Sequence, residues 1–292
     1  MYQTSLLEKE YLRNEVVNVQ SVPKRSPFRY PGGKTWLVPR IREWIYSLDF
    51  KPDTLLEPFA GGGIVGLTAA FENLTNKVIL VELDEDVSSV WKTILGKDWE
   101  WLANRIVNFE INHEAVDELF SSTPSNTKER AFHTIVKNRV NRGGILANGA
   151  GRLKKGENGK GIKSRWYPVT LANRIKAIST IREKITFIQG DGIEYIKKYL
   201  ERKNFIIFAD PPYTASKKKA GSRLYKYHEL NHDQLFKLVK DFSGDPLMTY
   251  DNAEEVLQLA KKYQLKSQTI AMKNTNHAQM TELVVGKNLD WL

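Results

Sequence analysis

The chain has 292 residues, 41% of them hydrophobic, enough for a sizeable core in one large domain or in a catalytic domain carrying a smaller inserted one. It has no cysteine, which excludes disulfides, thiolate metal sites and any cysteine nucleophile. Forty-four Lys and Arg against 34 Asp and Glu leave a formal charge of +10, which favours a polyanionic partner; thirteen of those bases fall within residues 128–176, against Glu129 and Glu157 alone.

Residues 1–26 are polar and weakly periodic and read as a loosely attached arm. The amino terminus lacks the apolar core of a signal peptide, and no run of about 18 apolar residues occurs, so a soluble, cytoplasmic protein is expected. Residues 28–36 form a Gly-rich turn that feeds an amphipathic helix over 36–48. Its Gly-Lys-Thr ending invites a phosphate-loop reading, but that pattern needs a Gly where Phe28 stands and a strand before it. Lys34, just inside the turn, is placed to meet either a small carboxylate or solvent.

Residues 54–57 read as a strand, 58–63 as a tight loop and 64–71 as the following helix. Gly61, Gly63 and Gly66 have the spacing of a dinucleotide-type fold, in which glycines permit the turn and the close approach of a ligand. A second strand, 77–81, runs into Glu82, where such folds grip a ribose diol. The pattern does not choose between NAD and S-adenosylmethionine, since both carry an adenosine ribose. Glu57 and Asp84 add acids near the loop, and a crowd of carboxylates suits a sulfonium better than a pyrophosphate.

Residues 91–120 read as helical, with Trp91 and Trp101 facing a core. Residues 121–127 form a linker and 128–141 a basic helical stretch. The segment 142–161 is rich in Gly, Lys and Asn, with too few large apolar residues for a core of its own, and residues 163–168 set aromatics beside cations. Phosphate contacts from Lys and Arg, base contacts from Asn or Arg and aromatic stacking are what a DNA reader needs. The candidates are Lys137, Asn141, Arg142, Arg152, Lys154, Lys155, Lys163 and Arg165.

A helix over 171–185 and a strand over 186–188 lead to Asp191, either a turn aspartate or an acceptor for a cofactor's adenine amino group. Four apolar residues, 205–208, suit a central strand covered on both faces. They stop in Asp210-Pro211-Pro212-Tyr213, whose prolines must lie beyond the ladder. Ligands of open α/β sheets bind at the carboxyl ends of strands. There the Asp210 carboxylate and the Pro211 carbonyl can accept protons from a planar amine, while the Tyr213 ring offers a stacking face. Residues 214–226 form a basic loop able to close over a ligand. His228 and His232 stand four apart with no third ligand nearby, so no metal site is expected. A helix through residue 240, a strand at 246–250, a helix at 253–263 and a closing antiparallel hairpin, 268–272 with 283–285, complete the chain.

With these residues in hand, the chain resembles the Dam-like, D12-class DNA adenine N6-methyltransferases over roughly 27–285. Tyr30-Pro31-Gly32-Gly33-Lys34 is similar to the family's Trp-Ala-Gly-Gly-Lys cofactor motif, and the stretch from Glu57 to Gly63 is similar to its central cofactor loop. The resemblance implies a Rossmann-like α/β sheet with helices on both faces, a cofactor part at 27–100, a mainly helical and loop recognition insert at 101–180 and a catalytic part at 181–292. It implies S-adenosylmethionine held by Tyr30, Gly32, Gly33, Lys34, Glu57, Phe59, Ala60, Gly61, Gly63, Glu82, Leu83, Asp191 and Asp210. Lys34 would face the methionine carboxylate and Glu82 the ribose. Asp210, Pro211, Pro212 and Tyr213 would act on an adenine flipped from double-stranded DNA. A separate cognate restriction endonuclease is compatible with the resemblance, as is a solitary role. Alternatives are an RNA adenine methyltransferase of the same fold, a non-catalytic DNA-binding regulator and an NAD-dependent oxidoreductase, for which no hydride-acceptor site is visible.

Overall fold

The computed structural model describes residues 17, 19–29, 32–147, 149–156, 159–212, 230–273 and 279–292. Tyr30, Pro31, Tyr213, His228 and the basic loop 214–226 lie outside them. Seven strands, β1 (Thr54–Glu57), β2 (Lys77–Glu82), β3 (Ile185–Gln189), β4 (Phe205–Ala209), β5 (Asp245–Asp251), β6 (Lys266–Lys273) and β7 (Gln279–Gly286), form one sheet in the order β3-β2-β1-β4-β5-β7-β6. The first five are parallel, and β7 enters antiparallel between β5 and β6.

The unbroken apolar runs follow from burial on both faces. Leu55, Val78, Leu80, Ile206 and Phe208 join one hydrophobic cluster, while their alternates Leu56, Ile79, Val81, Ile207 and Ala209 join the other. Among the described residues seven helices precede β3: α1 (Val38–Ser47), α2 (Ile64–Phe71), α3 (Glu85–Leu95), α4 (Trp99–Val107), α5 (His113–Ser121), α6 (Thr127–Val140) and α7 (Pro168–Ser179), all contributing to the first cluster. Three more, α8 (Gly192–Lys198), α9 (His232–Asp241) and α10 (Glu254–Lys262), cover the second. A fully buried side chain such as Phe236 contributes about 1.5–3 kcal/mol by leaving water. Among the described residues no helix is long and apolar enough to cross a membrane.

Several expectations shift. The helix expected over 36–48 begins as a 3₁₀ turn, Lys34–Leu37, before α1. The stretch 91–120 is the end of α3 followed by α4 and α5, because Gly96 interrupts it and Asn112 restarts it by accepting from the Ala115 N–H at 2.8 Å. The helix expected over 171–185 runs Pro168–Ser179, with a separate turn at Arg182–Lys184.

The arm, expected to be loose, is tied down at its end: Val22 is buried, Ser26 Oγ donates to the Gly62 carbonyl at 2.6 Å, and Arg25 pairs with Glu72 at 2.8 Å. The insert occupies the connection between β2 and β3. It shares its core with the sheet, since Ile135, Val136, Ile162 and Leu171 belong to the same cluster as Leu55 and Val65.

Candidate active site

The sheet reverses its winding between β1 and β4, and the crevice beyond their carboxyl ends opens into a cavity of about 890 Å³. The loop after β1 forms one wall. Gly63 caps α2 in the left-handed region at φ +59, and Gly61 lies at +45, conformations that an L side chain resists. Glu82 fastens this loop: its Oε2 accepts from the Gly61 N–H at 2.8 Å and its Oε1 from the Asp84 N–H at 2.9 Å. Trp91 supports it from below, donating Nε1–H to the Gly61 carbonyl at 3.0 Å, a role its helical spacing did not announce. Gly66 is needed for a different reason: a Cβ there would lie 2.6 Å from Leu80 Cδ2 and 2.7 Å from Glu57 Oε2.

Acids line the strand ends. Glu57 is 3% exposed and accepts from the Gly66 N–H at 2.7 Å; burial pushes it up to about 8, against that hydrogen bond. Burial likewise pushes Glu82 up to about 7, opposed by its backbone donors. Asp84 caps α3. Asp191 caps α8 by accepting from the Ile193 N–H at 2.9 Å while lining the cavity, so the turn role and the ligand-facing position coincide. Gly32, Gly33, Phe59, Ala60 and Leu83 also line it.

Asp210 emerges from β4 with both oxygens engaged. Thr249 of β5 donates its hydroxyl to Oδ1 at 2.9 Å, and the Lys34 ammonium lies 3.0 Å from Oδ2. Lys34, expected to face the cofactor's carboxylate, is 2% exposed; it donates to the Gly32 carbonyl at 2.8 Å and pairs with Glu282 of β7 at 3.4 Å. Burial opposes its charge, but Asp210 and Glu282 outweigh that and raise it above the usual lysine value. Pro211 is buried and Pro212 lines the cavity beside Leu230, Asn231 and Gln234 at the start of α9. Tyr250, one residue after Thr249, meets His232 Nδ1 at 2.9 Å through its hydroxyl; burial, then Asp210, raises the phenol above its ordinary value.

In the insert, Arg142, Lys154, Lys155 and Lys163 are exposed, and Lys137 and Arg165 partly so. Asn141 and Arg152 are engaged within the chain. Asn141 is 4% exposed and donates to the Ile145 carbonyl at 2.8 Å, while Arg152 pairs with Asp117 at 2.5 Å over the Phe120 ring. Asn138 and Arg139, which no sequence pattern singled out, bind the segment before the Gly turn. Asn138 holds both the Arg29 N–H and its carbonyl at 2.9 Å, and Arg139 donates to Pro27 O at 2.6 Å.

The parallel sheet with one antiparallel strand next to its edge, glycine loop after β1, acid at the end of β2 and Asp-Pro-Pro after β4 define a Rossmann-like, S-adenosylmethionine-dependent methyltransferase. The comparisons narrow the class. The model of the D12 class N6 adenine-specific DNA methyltransferases matches residues 30–274, and the chain belongs to that family. It is 24% identical over 238 residues to the type II methyltransferase M.MjaIII of Methanocaldococcus jannaschii, covering 74% of this chain and 78% of that protein. It is 27% identical over 223 residues to the DNA N-6-adenine-methyltransferase of Escherichia phage P1, covering 74% of this chain and 28% of that protein. A solved structure, the rRNA methyltransferase aviRa of Streptomyces viridochromogenes, gives a TM-score of 0.43 at 11% identity over 94% of each chain. The chain is thus an enzyme of DNA adenine N6 methylation.

The site fits S-adenosylmethionine. Acidic side chains at four successive strand ends, with Gly61 and Gly63 baring the loop between them, offer acceptors for a ribose diol and an acidic setting for a sulfonium.

Proposed function

We propose that Asp210 and the Pro211 carbonyl act on an adenine turned out of double-stranded DNA, and that Glu82 and Asp191 hold the ribose and adenine of S-adenosylmethionine. The bound cofactor supplies a methyl group on an electrophilic sulfonium. The observation that carries this reading is the placement of Asp210: it opens on the same cavity as the glycine loop and Glu82, with each oxygen held from behind, Oδ1 by Thr249 and Oδ2 by Lys34. A carboxylate oxygen accepts more than one hydrogen bond, so both remain able to face an amine.

Turning the adenine out costs a few kcal/mol of unstacking, which contacts to its edge and a stacked Tyr213 offset. The amine's lone pair is delocalised into the ring. Acceptance of both N–H groups by Asp210 and the Pro211 carbonyl favours a tetrahedral nitrogen, aims its lone pair and stabilises the positive charge that grows there. Thr249 and Lys34 fix the carboxylate in advance, so little reorganisation accompanies the reaction.

Asp210→Asn tests the assignment. Loss of one preorganised group of this kind costs about 10² to 10³ in turnover. Single-turnover transfer within about threefold of the parent, on folded and cofactor-saturated protein, removes the catalytic role. Competition between duplex DNA and RNA of equal length separates the DNA reading from an RNA methyltransferase. The name of the archaeal relative, a type II methyltransferase, supports pairing with a separate restriction endonuclease. That pairing requires methylated DNA to resist a nuclease that cuts the unmodified sequence.

A further inference from the structure

We infer that Glu282 of β7 is a positioning residue for methyl transfer: it draws the Lys34 ammonium partly away from Asp210, so that Asp210 keeps its strength as an acceptor for the target amine. The inference rests on the catalytic role proposed for Asp210. Three elements meet here, the turn carrying Lys34, the end of β4 and the antiparallel strand β7, with a single ammonium between two carboxylates at 3.0 Å and 3.4 Å.

Glu282 is an expensive residue for its position. It is 6% exposed, sits opposite Asp251 of β5 and Ile270 of β6 in the sheet register, and has buried Leu283 beside it on the opposite face. Its Oε2 meets Lys34 as an ion pair longer than a well-formed hydrogen bond and has no hydrogen-bond partner. The groups facing it are Lys34 from the turn, Asp210 from β4 and Asp251 from β5; its β6 neighbour Ile270 carries no charge. A carboxylate buried against two others does not serve the fold, where a Gln of the same shape would cost less.

It serves the ammonium. Were Lys34 paired with Asp210 alone, a full ion pair would neutralise the carboxylate on which the amine depends. With Glu282 competing, the ammonium is shared, and when the amine reaches Asp210 the charge of Lys34 is still balanced behind it. Burial holds Glu282 up to about 7, with Lys34 pulling it down and Asp210 pushing it up, so its charge is present at pH 8 and largely lost at pH 6.

The test is single-turnover methyl transfer by parent, Glu282→Gln and Glu282→Asp at saturating DNA and cofactor between pH 6 and 8.5. Glu282→Gln should slow the chemical step about tenfold or more at pH 8, the scale of a missing electrostatic aid. The parent-to-variant ratio should shrink toward one at pH 6. Glu282→Asp should recover part of the rate, cofactor and DNA affinity should hold within about twofold, and thermal stability should stay or rise. In a Lys34→Met background, Glu282→Gln should add no further loss, since Glu282 acts through that ammonium. A parental rate for Glu282→Gln at pH 8, a ratio independent of pH, or an undiminished effect without Lys34 overturns the inference. Asp210→Asn run alongside separates the two levels. A slow Asp210→Asn with a normal Glu282→Gln overturns only the inference, and a normal Asp210→Asn overturns the catalytic role beneath it.

Discussion

Three acids near the cavity, Glu57, Glu82 and Glu282, of which Glu82 is only half-buried, are pushed by burial to about 8, 7 and 7. In the unfolded chain each would titrate near 4.5. From about pH 4.5 to 8 the folded protein therefore holds protons that the unfolded chain has released, so stability falls as pH rises through that window and the penalty is complete above the folded values. Glu57→Gln keeps an oxygen for the Gly66 N–H and removes the titration. The fall in melting temperature between pH 6 and 8.5 should be smaller in this variant than in the parent; calorimetry finding equal falls would show that Glu57 is not held protonated. The acids themselves were legible, because Glu57, Glu82 and Asp210 each end an apolar run. Their partners were not: Lys34 looked ready for a ligand carboxylate, and only the closed sheet brings Asp210 and Glu282 to it from far along the chain.

At the scale of elements, the glycine pattern was readable as a loop needing freedom and close approach, and the fold divides those needs. Gly61 and Gly63 supply left-handed backbone, whereas Gly66 lies within α2 and is small because β2 presses on it. Gly66→Ala should therefore fold with a loss of about 1–3 kcal/mol from overpacking against Leu80, Val78 and Glu57. Its cofactor affinity should fall as Glu57 is displaced. Denaturant unfolding within about 0.5 kcal/mol of the parent would mean that α2 moves aside freely. The β1-loop-α2 unit was visible because its signals are local: apolar run, glycines, apolar helix. The insertion of β7 between β5 and β6 was not, because a hairpin of two apolar stretches has the same sequence whichever strand pairs with the sheet. The division of 91–120 into separate helices hid behind continuous apolar spacing, since Gly96 and Asn112 act through backbone and cap geometry rather than periodicity.

Over the whole molecule, charge was legible and its packing was not. The basic stretch was evident from composition, and its helices α6 and α7 send residues into the same hydrophobic cluster as the sheet. Positive residues of the stretch thus divide into those turned inward, such as Arg139, which burial pulls down to about 9, and those left on the surface. Lys154 and Lys155 belong to the second group: both are exposed, in the turn that leads from the Asn141–Arg152 bridge. If they neutralise phosphates, removing each charge should lower the slope of log affinity against log salt by about 0.9. The double change Lys154→Glu with Lys155→Glu should then flatten that slope by about two and weaken binding to target and unrelated duplexes alike, since phosphate contacts carry no sequence information. Cofactor binding and melting temperature should be unaffected, because neither side chain touches the cavity or the core. Titrations of both duplexes across a range of salt decide it. An unchanged slope would move the electrostatic footprint to other surfaces, whereas weakening confined to the target duplex would turn these lysines from phosphate binders into readers of base edges.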